Sequence, residues 1–227
     1  MEAKDILEKK GHTLIEFEFE EFGAICRFGC RLCSANGMAV MREALRNGEL
    51  LDAQMRGLYL MSKVPRWISK KLLAPLIDRQ VPYLANILES VITLDEATYF
   101  DDKLRELFLI FCDKWHAAHL DAILSPPFPV PATNEDFAVQ NPQFIPYTGF
   151  ANAFNLPAGI IPITRGTKED EEKLKDYPRR NISEYKIRKA VEGSIGLPLG
   201  CSVMSLPYQD ETVLRVMRDL QAGSQFR

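Results

Sequence analysis

The 227-residue sequence lacks most of the features that commit a chain to a special environment. Cysteines number only five, an odd count spread over a mid-sized chain, which argues against a disulfide framework and for reduced, mostly buried thiols. No uninterrupted apolar run reaches the about 18 residues that a membrane-spanning helix needs, so the chain is expected to lie on a membrane at most, not to cross it. Neither sign of charge dominates: 28 basic residues against 31 acidic leave a net −3, which supplies no global field for DNA or RNA, and nucleic acid is excluded as an expected partner. Glycine-rich phosphate loops, internal repeats and low-complexity tracts are absent. The N-terminal MEAKDILEKKGHTLIEF has no apolar stretch after a basic start, which speaks against a secretory signal and for a cytoplasmic location.

What remains is an ordinary folding composition, 46% hydrophobic and 26% charged, as in a soluble enzyme-like body. Residues 1–10 read as a short helix ended by Gly11, followed by alternation over 12–19, with Ile15, Phe17 and Phe19 opposed to Leu14, Glu16 and Glu18, that predicts a strand. Residues 21–46 read as helical, weakened at Gly23, Gly29 and Gly37. Phe100, Leu104, Leu107, Phe108, Phe111 and Trp115 fall three and four apart and predict a helix from Asp95 to about His119.

Beyond it, DAILS (121–125) is a short apolar strand stopped by PPFPVPA, whose prolines cannot join a ladder and hold a stiff loop. A small-residue helix, YTGFANAFNL, then leads into the strand PAGIIPIT. Residues 180–193 are helical, GLPLGCSVMSL is a central strand, and 209–222 is a closing helix with Val213, Val216, Met217 and Leu220 on one face. KEDEEKLKD (168–176) is a solvated loop or helix start. Strands separated by helices of this length predict an α/β sheet with mostly parallel pairing, flanked by helices. Cys26, Cys30 and Cys33, with His116 and His119, have the residue types of a metal site but lack its paired knuckles, so neither a metal nor a cofactor is expected.

One stretch departs from the near-neutral balance. Between residues 56 and 79, Arg56, Lys63, Arg66, Lys70, Lys71 and Arg79 face Asp78 alone, a local charge of +5. Val64, Trp67, Ile68 and Leu72 share an apolar arc, interrupted by Lys71 and expected to kink at Pro75. Read from the residues, this is either an interfacial helix with Trp at headgroup depth or a partly buried surface helix. The small face formed by Gly149, Ala151, Asn152 and Ala153 has two readings as well: close packing, or room for a ligand.

Three segments, LDAILSPPFPVPA (120–132), YTGFANAFNLPAGIIPIT (147–164) and GSIGLPLGCSVMSLPYQDETVLRVMRDLQ (193–221), stand in the order and spacing of the C-terminal part of amidase signature enzymes, which the chain resembles. GHTL near the start, SKVPRWISKKLLAPLIDRQVPYL (62–84) and LPAGIIPIT are most similar to the fatty-acid amide hydrolase branch. The resemblance covers nearly the whole chain and implies one portion of an amidase domain over 1–227, with a helical membrane-cap insertion over 56–92. It implies an acyl channel at Phe144, Ile145, Tyr147 and Gly149, although ordinary core packing would explain these residues equally well. It also implies a cap whose apolar surface continues through Leu72, Leu73, Leu76, Ile77, Val81, Tyr83 and Leu84, with a lipid amide or fatty acyl chain and a membrane surface as partners. A homodimer is compatible with it.

The family hydrolyses amides with a Ser-Ser-Lys triad, because a serine hydroxyl needs a positioned base and its oxyanion needs backbone donors. No G-G-S-S-G-G-like stretch occurs here; Gly193-Ser194 and Gly223-Ser224 are lone pairs, and Ser202 and Ser205 fall in the central strand. No residue of this chain is therefore expected to be catalytic, and the isolated chain is expected not to hydrolyse amides. Part of an α/β sheet exposes an unpaired edge, which favours a piece of a longer hydrolase over an abandoned activity. The rival expectation is a non-catalytic lipid- or membrane-binding protein.

Overall fold

The computed structural model describes residues 2–33, 42–43, 56, 59–60, 63–79, 93–133, 137, 141, 144, 146–224 and 226. Helix α1 (Glu2–Lys9) opens with Glu2 and Asp5, closes with Lys9, and buries Ile6 and Leu7. This charge order complements the helix dipole. Gly11, at φ +88°, turns the chain out of the helix. Helix α2 (Phe22–Cys33) follows. The longest helix, α3 (Leu94–Ala117), starts at a reciprocal cap: Glu96 N donates to Thr93 Oγ1 and Thr93 N donates to Glu96 Oε2, at 3.3 and 3.1 Å. Its buried face is Phe100, Leu104, Phe111 and Trp115, the face that the spacing predicts.

Strand β1 (Ile123–Ser125), helix α4 (Pro146–Ala153) and strand β2 (Ala158–Arg165) come next. A two-helix excursion, α5 (Lys168–Lys173) and α6 (Ile182–Val191), leads to strand β3 (Pro198–Met204) and the closing helix α7 (Asp210–Gly223). The KEDEEK run of α5 buries nothing and is capped by Thr167 and Asp170.

The class is α/β and the central position of β3 is as expected, but the pairing is not. The described sheet has the order β1-β3-β2, and β3 runs antiparallel to both neighbours. The excursion between β2 and β3 begins and ends at the same end of the sheet, where Gly166 N donates to the Leu197 carbonyl and Gly196 N to the Gly166 carbonyl, at 3.0 and 2.8 Å. A connection that returns to where it left must reverse the strand, so β2 and β3 form a long hairpin in which two helices replace the turn. Helix-strand alternation carries no information on that return path. The strand expected over 12–19 is corrected too: these residues form no regular element and pair with no strand among the described residues. Phe17 and Phe19 instead pack edge-on to Phe111, with centroids 6.1 and 5.3 Å apart. Ile15, expected on their face, is exposed, and Leu14 packs into the core of α1 and α7, so the buried side changes along the segment.

Strand alternation sends side chains into two cores. Leu124, Ile161, Ile163, Cys201 and Val203 meet Ile6 and Leu7 of α1 and Val213, Val216 and Leu220 of α7. Ile123 and Met204 instead meet Ile25, Leu104, Phe111, Trp115 and Phe150 of α2, α3 and α4, and Phe154 just after α4. Two serines fasten the sheet. Ser205 Oγ donates to the Asp121 carbonyl at 2.7 Å, and Ser224 Oγ to the Ile163 carbonyl at 2.9 Å.

A side-chain hydrogen bond holds the segment after α1 onto α7: His12 Nε2 lies 3.1 Å from Asp219 Oδ2. The hydrogen bond from His12 and the nearby charges of His12, Arg218 and Lys10 lower the Asp219 carboxyl below its ordinary range. A depressed carboxylate stabilises the fold above its unfolded pKa of about 3.9, and that contribution disappears as pH falls through the lower, folded value. The stability difference between the native chain and Asp219→Asn is therefore expected to be full near neutral pH and to close below about pH 4, measured by urea denaturation across the acid range. At Gly166 an added Cβ would sit 2.8 Å from the Ser194 backbone oxygen. Gly166→Ala is expected to destabilise by about 1–3 kcal/mol with the urea dependence unchanged; an unaltered midpoint would mean that the two strands have room to separate there.

Candidate functional site

The segment that leads into α2, the start of α2, the middle of α3, strand β1 and helix α4 line a half-open cavity of about 290 Å³. Phe17, Phe19, Phe22, Phe111 and Phe150 supply its walls, Ile123 and Leu124 one side, Met204 and Pro126 the rest, with Ser125 and Tyr147 as its polar-bearing side chains. The rings are locked to one another: Phe111 meets Phe150 edge-on at 5.6 Å, and Phe22 lies 5.2 Å from Phe150. Such a space suits an unbranched apolar chain, because it offers contact surface with almost nothing to hydrogen-bond.

On the other side of Pro126 lies a wider hollow of about 550 Å³, formed by the proline-rich loop 126–133 over Ile160, Pro162 and Gly200. Tyr147 lines the first space and Thr148 the second, so the start of α4 separates them. Phe144 reaches neither lining; it is buried, stacked on Phe137 at 5.9 Å and edge-on to Phe128 at 6.0 Å, and Phe128 lines the wider hollow. Gly149 is half-buried within α4, and Ile145 lies outside the described residues. Of the four channel residues expected from sequence, Tyr147 thus lines the apolar cavity and Phe144 backs the loop beside it. Phe17, Phe19, Phe22, Phe111 and Phe150 were not foreseen as its walls.

The amphipathic segment runs through Arg66–Ile68, a π-helical turn at Ser69–Leu73 and an α-turn at Ala74–Asp78. Ala74 N donates to the Ser69 carbonyl, five residues back. Pro75, which has no N–H to give, then falls at the start of the next α-turn, where none is needed. Trp67, Leu72 and Leu76 are exposed by 61, 54 and 71%, while Val64, Ile68, Leu73 and Ile77 are half-buried and Ser69 and Ala74 are buried. The wide turn lets residues spaced five and four apart present together, and Lys63, Lys71 and Arg79 are exposed around them. Val81, Tyr83 and Leu84 lie outside the described residues.

Among the described residues Ser125 is the only serine that lines the cavity, and no histidine, lysine or carboxylate lines it with Ser125. Ser205 and Ser224 donate to backbone carbonyls, and Ser202 is buried on the central strand. Burial pushes the Cys201 thiol up, opposite to the direction that activates a cysteine. Burial, Glu184 and Tyr147 likewise raise the Tyr177 phenol, against a lowering by Arg180. Among the described residues no three metal-ligating side chains gather, and no helix is long and apolar enough to cross a membrane.

The profile of the Amidase family matches residues 1–214. The chain belongs to the Amidase family. It is 30% identical over 227 residues to fatty acid amide hydrolase 1 of Caenorhabditis elegans, covering 97% of this chain and 39% of the relative. With fatty-acid amide hydrolase 1 of Sus scrofa it shares 29% over 232 residues, covering 97% of this chain and 38% of the relative. A solved fatty acid amide hydrolase structure superposes at a TM-score of 0.70 and 16% identity, over 97% of this chain and 35% of that one, which shows the shared fold. The amidase portion described here thus spans under two-fifths of the length of these curated relatives.

Proposed function

We infer that this chain forms the acyl-binding portion of an amidase that cleaves lipid amides to fatty acid and amine. The observation that carries the reading is the phenylalanine-walled cavity between β1, α3 and α4. A long acyl tail gains about 0.8 kcal/mol for each buried methylene, and a wall of interlocked rings supplies that gain without an unsatisfied polar group. The names of the relatives, fatty acid amide hydrolases, support this choice of substrate. Hydrolysis itself needs a serine nucleophile in a glycine- and serine-rich loop, and these 227 residues hold none, so the chemistry belongs to residues beyond them. Alone, the chain binds acyl chains and leaves amides intact.

The exposed Trp67, Leu72 and Leu76, ringed by Lys63, Lys71 and Arg79, support a second part of the reading: a cap that rests on the membrane and admits substrate from it. On this reading the protein works at a membrane surface.

Displacement of a fluorescent fatty acid by saturated acids of increasing length tests the cavity. Affinity is expected to rise about fourfold per methylene until the space is filled, and to fall sharply in Tyr147→Asp. A serine-directed fluorophosphonate is expected to leave the chain unlabelled; labelling, or affinity indifferent to chain length, would overturn the reading. For the cap, the double change Trp67→Ala with Leu76→Ala is expected to weaken co-sedimentation with anionic liposomes by about tenfold or more, since each removed side chain is an exposed anchor. Equal sedimentation of both forms would return the segment to an ordinary surface helix.

A further inference from the structure

The phenylalanine rings account for the tail of a ligand; strand β1 carries the polar edge of the same cavity. Leu124 lines that cavity, yet its side chain packs on the other face of the sheet, in the core of α1 and α7. Its main chain is therefore the part that meets the cavity. Ser125 lines it as well, and strand alternation turns its side chain to the face that Ile123 shares with α2, α3 and α4.

The ladder decides where the main-chain groups of Leu124 point. Just past the end of β3, Ser205 N donates to the Pro157 carbonyl at 3.2 Å, on the β2 side. Bonded pairs recur at every second residue of an antiparallel ladder, so Val203, opposite Gly159, and Cys201, opposite Ile161, also direct their N–H and C=O groups to β2. Pro162 agrees with this phase, since it lies opposite Gly200, in a pair that needs no N–H. Val203 is also the residue opposite Leu124 in β1, and it has no group left for it. The Leu124 N–H and C=O thus both turn away from β3, out along the free edge of the sheet and towards the cavity. Neither has a partner among the described residues, and the Ser125 hydroxyl has none there either. Backbone groups in a largely apolar setting ordinarily find one.

A ligand that satisfies both groups of Leu124 must offer a donor and an acceptor on one side. A single amide cannot, because its own N–H and C=O point in opposite directions across the planar C–N bond. The unit that can is NH–CHR–C=O, which is what one residue of an added strand presents. We propose that the cavity binds an N-acyl amino acid. Its amide N–H donates to the Leu124 carbonyl, its carboxyl end accepts from the Leu124 N–H, and its acyl tail lies among the phenylalanine rings. Ser125 Oγ is a further donor to the same head group. Because the cavity is half-open, the carboxylate keeps contact with water and its charge is not fully desolvated. A plain fatty acid has no N–H for Leu124, and the amide of a simple amino alcohol has no second carbonyl. This inference rests on the acyl-binding reading and names the amine half of the amide as an amino acid.

Displacement of the fluorescent fatty acid from the full 227-residue chain by N-lauroylglycine, N-lauroylsarcosine and lauric acid, each below micelle formation, tests it. One methyl group separates the first two compounds, and it replaces the N–H. N-lauroylglycine is expected to bind about tenfold or more tightly than either of the others, because each leaves the Leu124 carbonyl unpaired. Ser125→Ala, once its melting curve matches that of the native chain, is expected to weaken N-lauroylglycine about two- to tenfold. Saturating N-lauroylglycine is also expected to slow hydrogen exchange at the Leu124 amide about tenfold or more, a readout that needs no substitution. Equal affinity for the three compounds, or Leu124 exchange unchanged by bound N-lauroylglycine, would overturn the proposal while the acyl-binding reading stands. Affinity that is the same from N-octanoylglycine to N-lauroylglycine would overturn both.

Discussion

The structure depends first on the burial of Phe111. This ring is fully excluded from solvent and meets Phe17, Phe19, Trp115, Phe150 and Phe154 at centroid separations of 5.3 to 6.1 Å. Those partners come from four separate stretches of chain: the extended segment after α1, α3 itself, α4, and the turn that follows α4. Aromatic contacts of this geometry add about 0.5–1.5 kcal/mol each beyond area burial, but position matters more than energy here. Because each ring is held edge-on or tilted by others, none can swing inward to fill the adjoining cavity. Close packing on one side of Phe111 is what preserves empty space on the other.

The same constraint explains what was legible beforehand. Element identity follows from local chemistry, and the helix at Leu94–Ala117 is the clearest case: a Thr93/Glu96 cap, a one-sided aromatic stripe, and an end at His119, which takes φ +51°. The strands PAGIIPIT and PLGCSVM were legible because prolines and glycines bound short runs of apolar residues. Their relative direction was not, because it depends on where α5 and α6 deliver the chain, and no residue between 166 and 197 encodes that alone. The segment 12–19 shows the limit from the other side. Two-residue alternation does not say what buries a side chain: Phe17 and Phe19 lie on Phe111 of α3, Leu14 packs on the other core, and Ile15 is exposed.

The site was legible in part for the same reason. Tyr147 could be named because it sits in a motif, whereas the five phenylalanines around it converge from sequence separations that no spacing rule spans.

The proline-rich loop decides how these surfaces can coexist. Pro126 belongs to both apolar spaces, while Ala132 and Thr133, a few residues on, belong to the wider hollow. A flexible loop would let the two merge or collapse, since apolar walls gain by closing on each other. Prolines at 126, 127, 129 and 131 fix alternate φ angles and reduce the number of conformations available, so the loop acts as a stiff partition. The loop is further braced from behind, where Phe128 packs against Phe137 and Phe144 at 6.4 and 6.0 Å. A partition stiffened by proline and backed by aromatic rings keeps the apolar spaces on its two sides from merging, so each keeps its own lining.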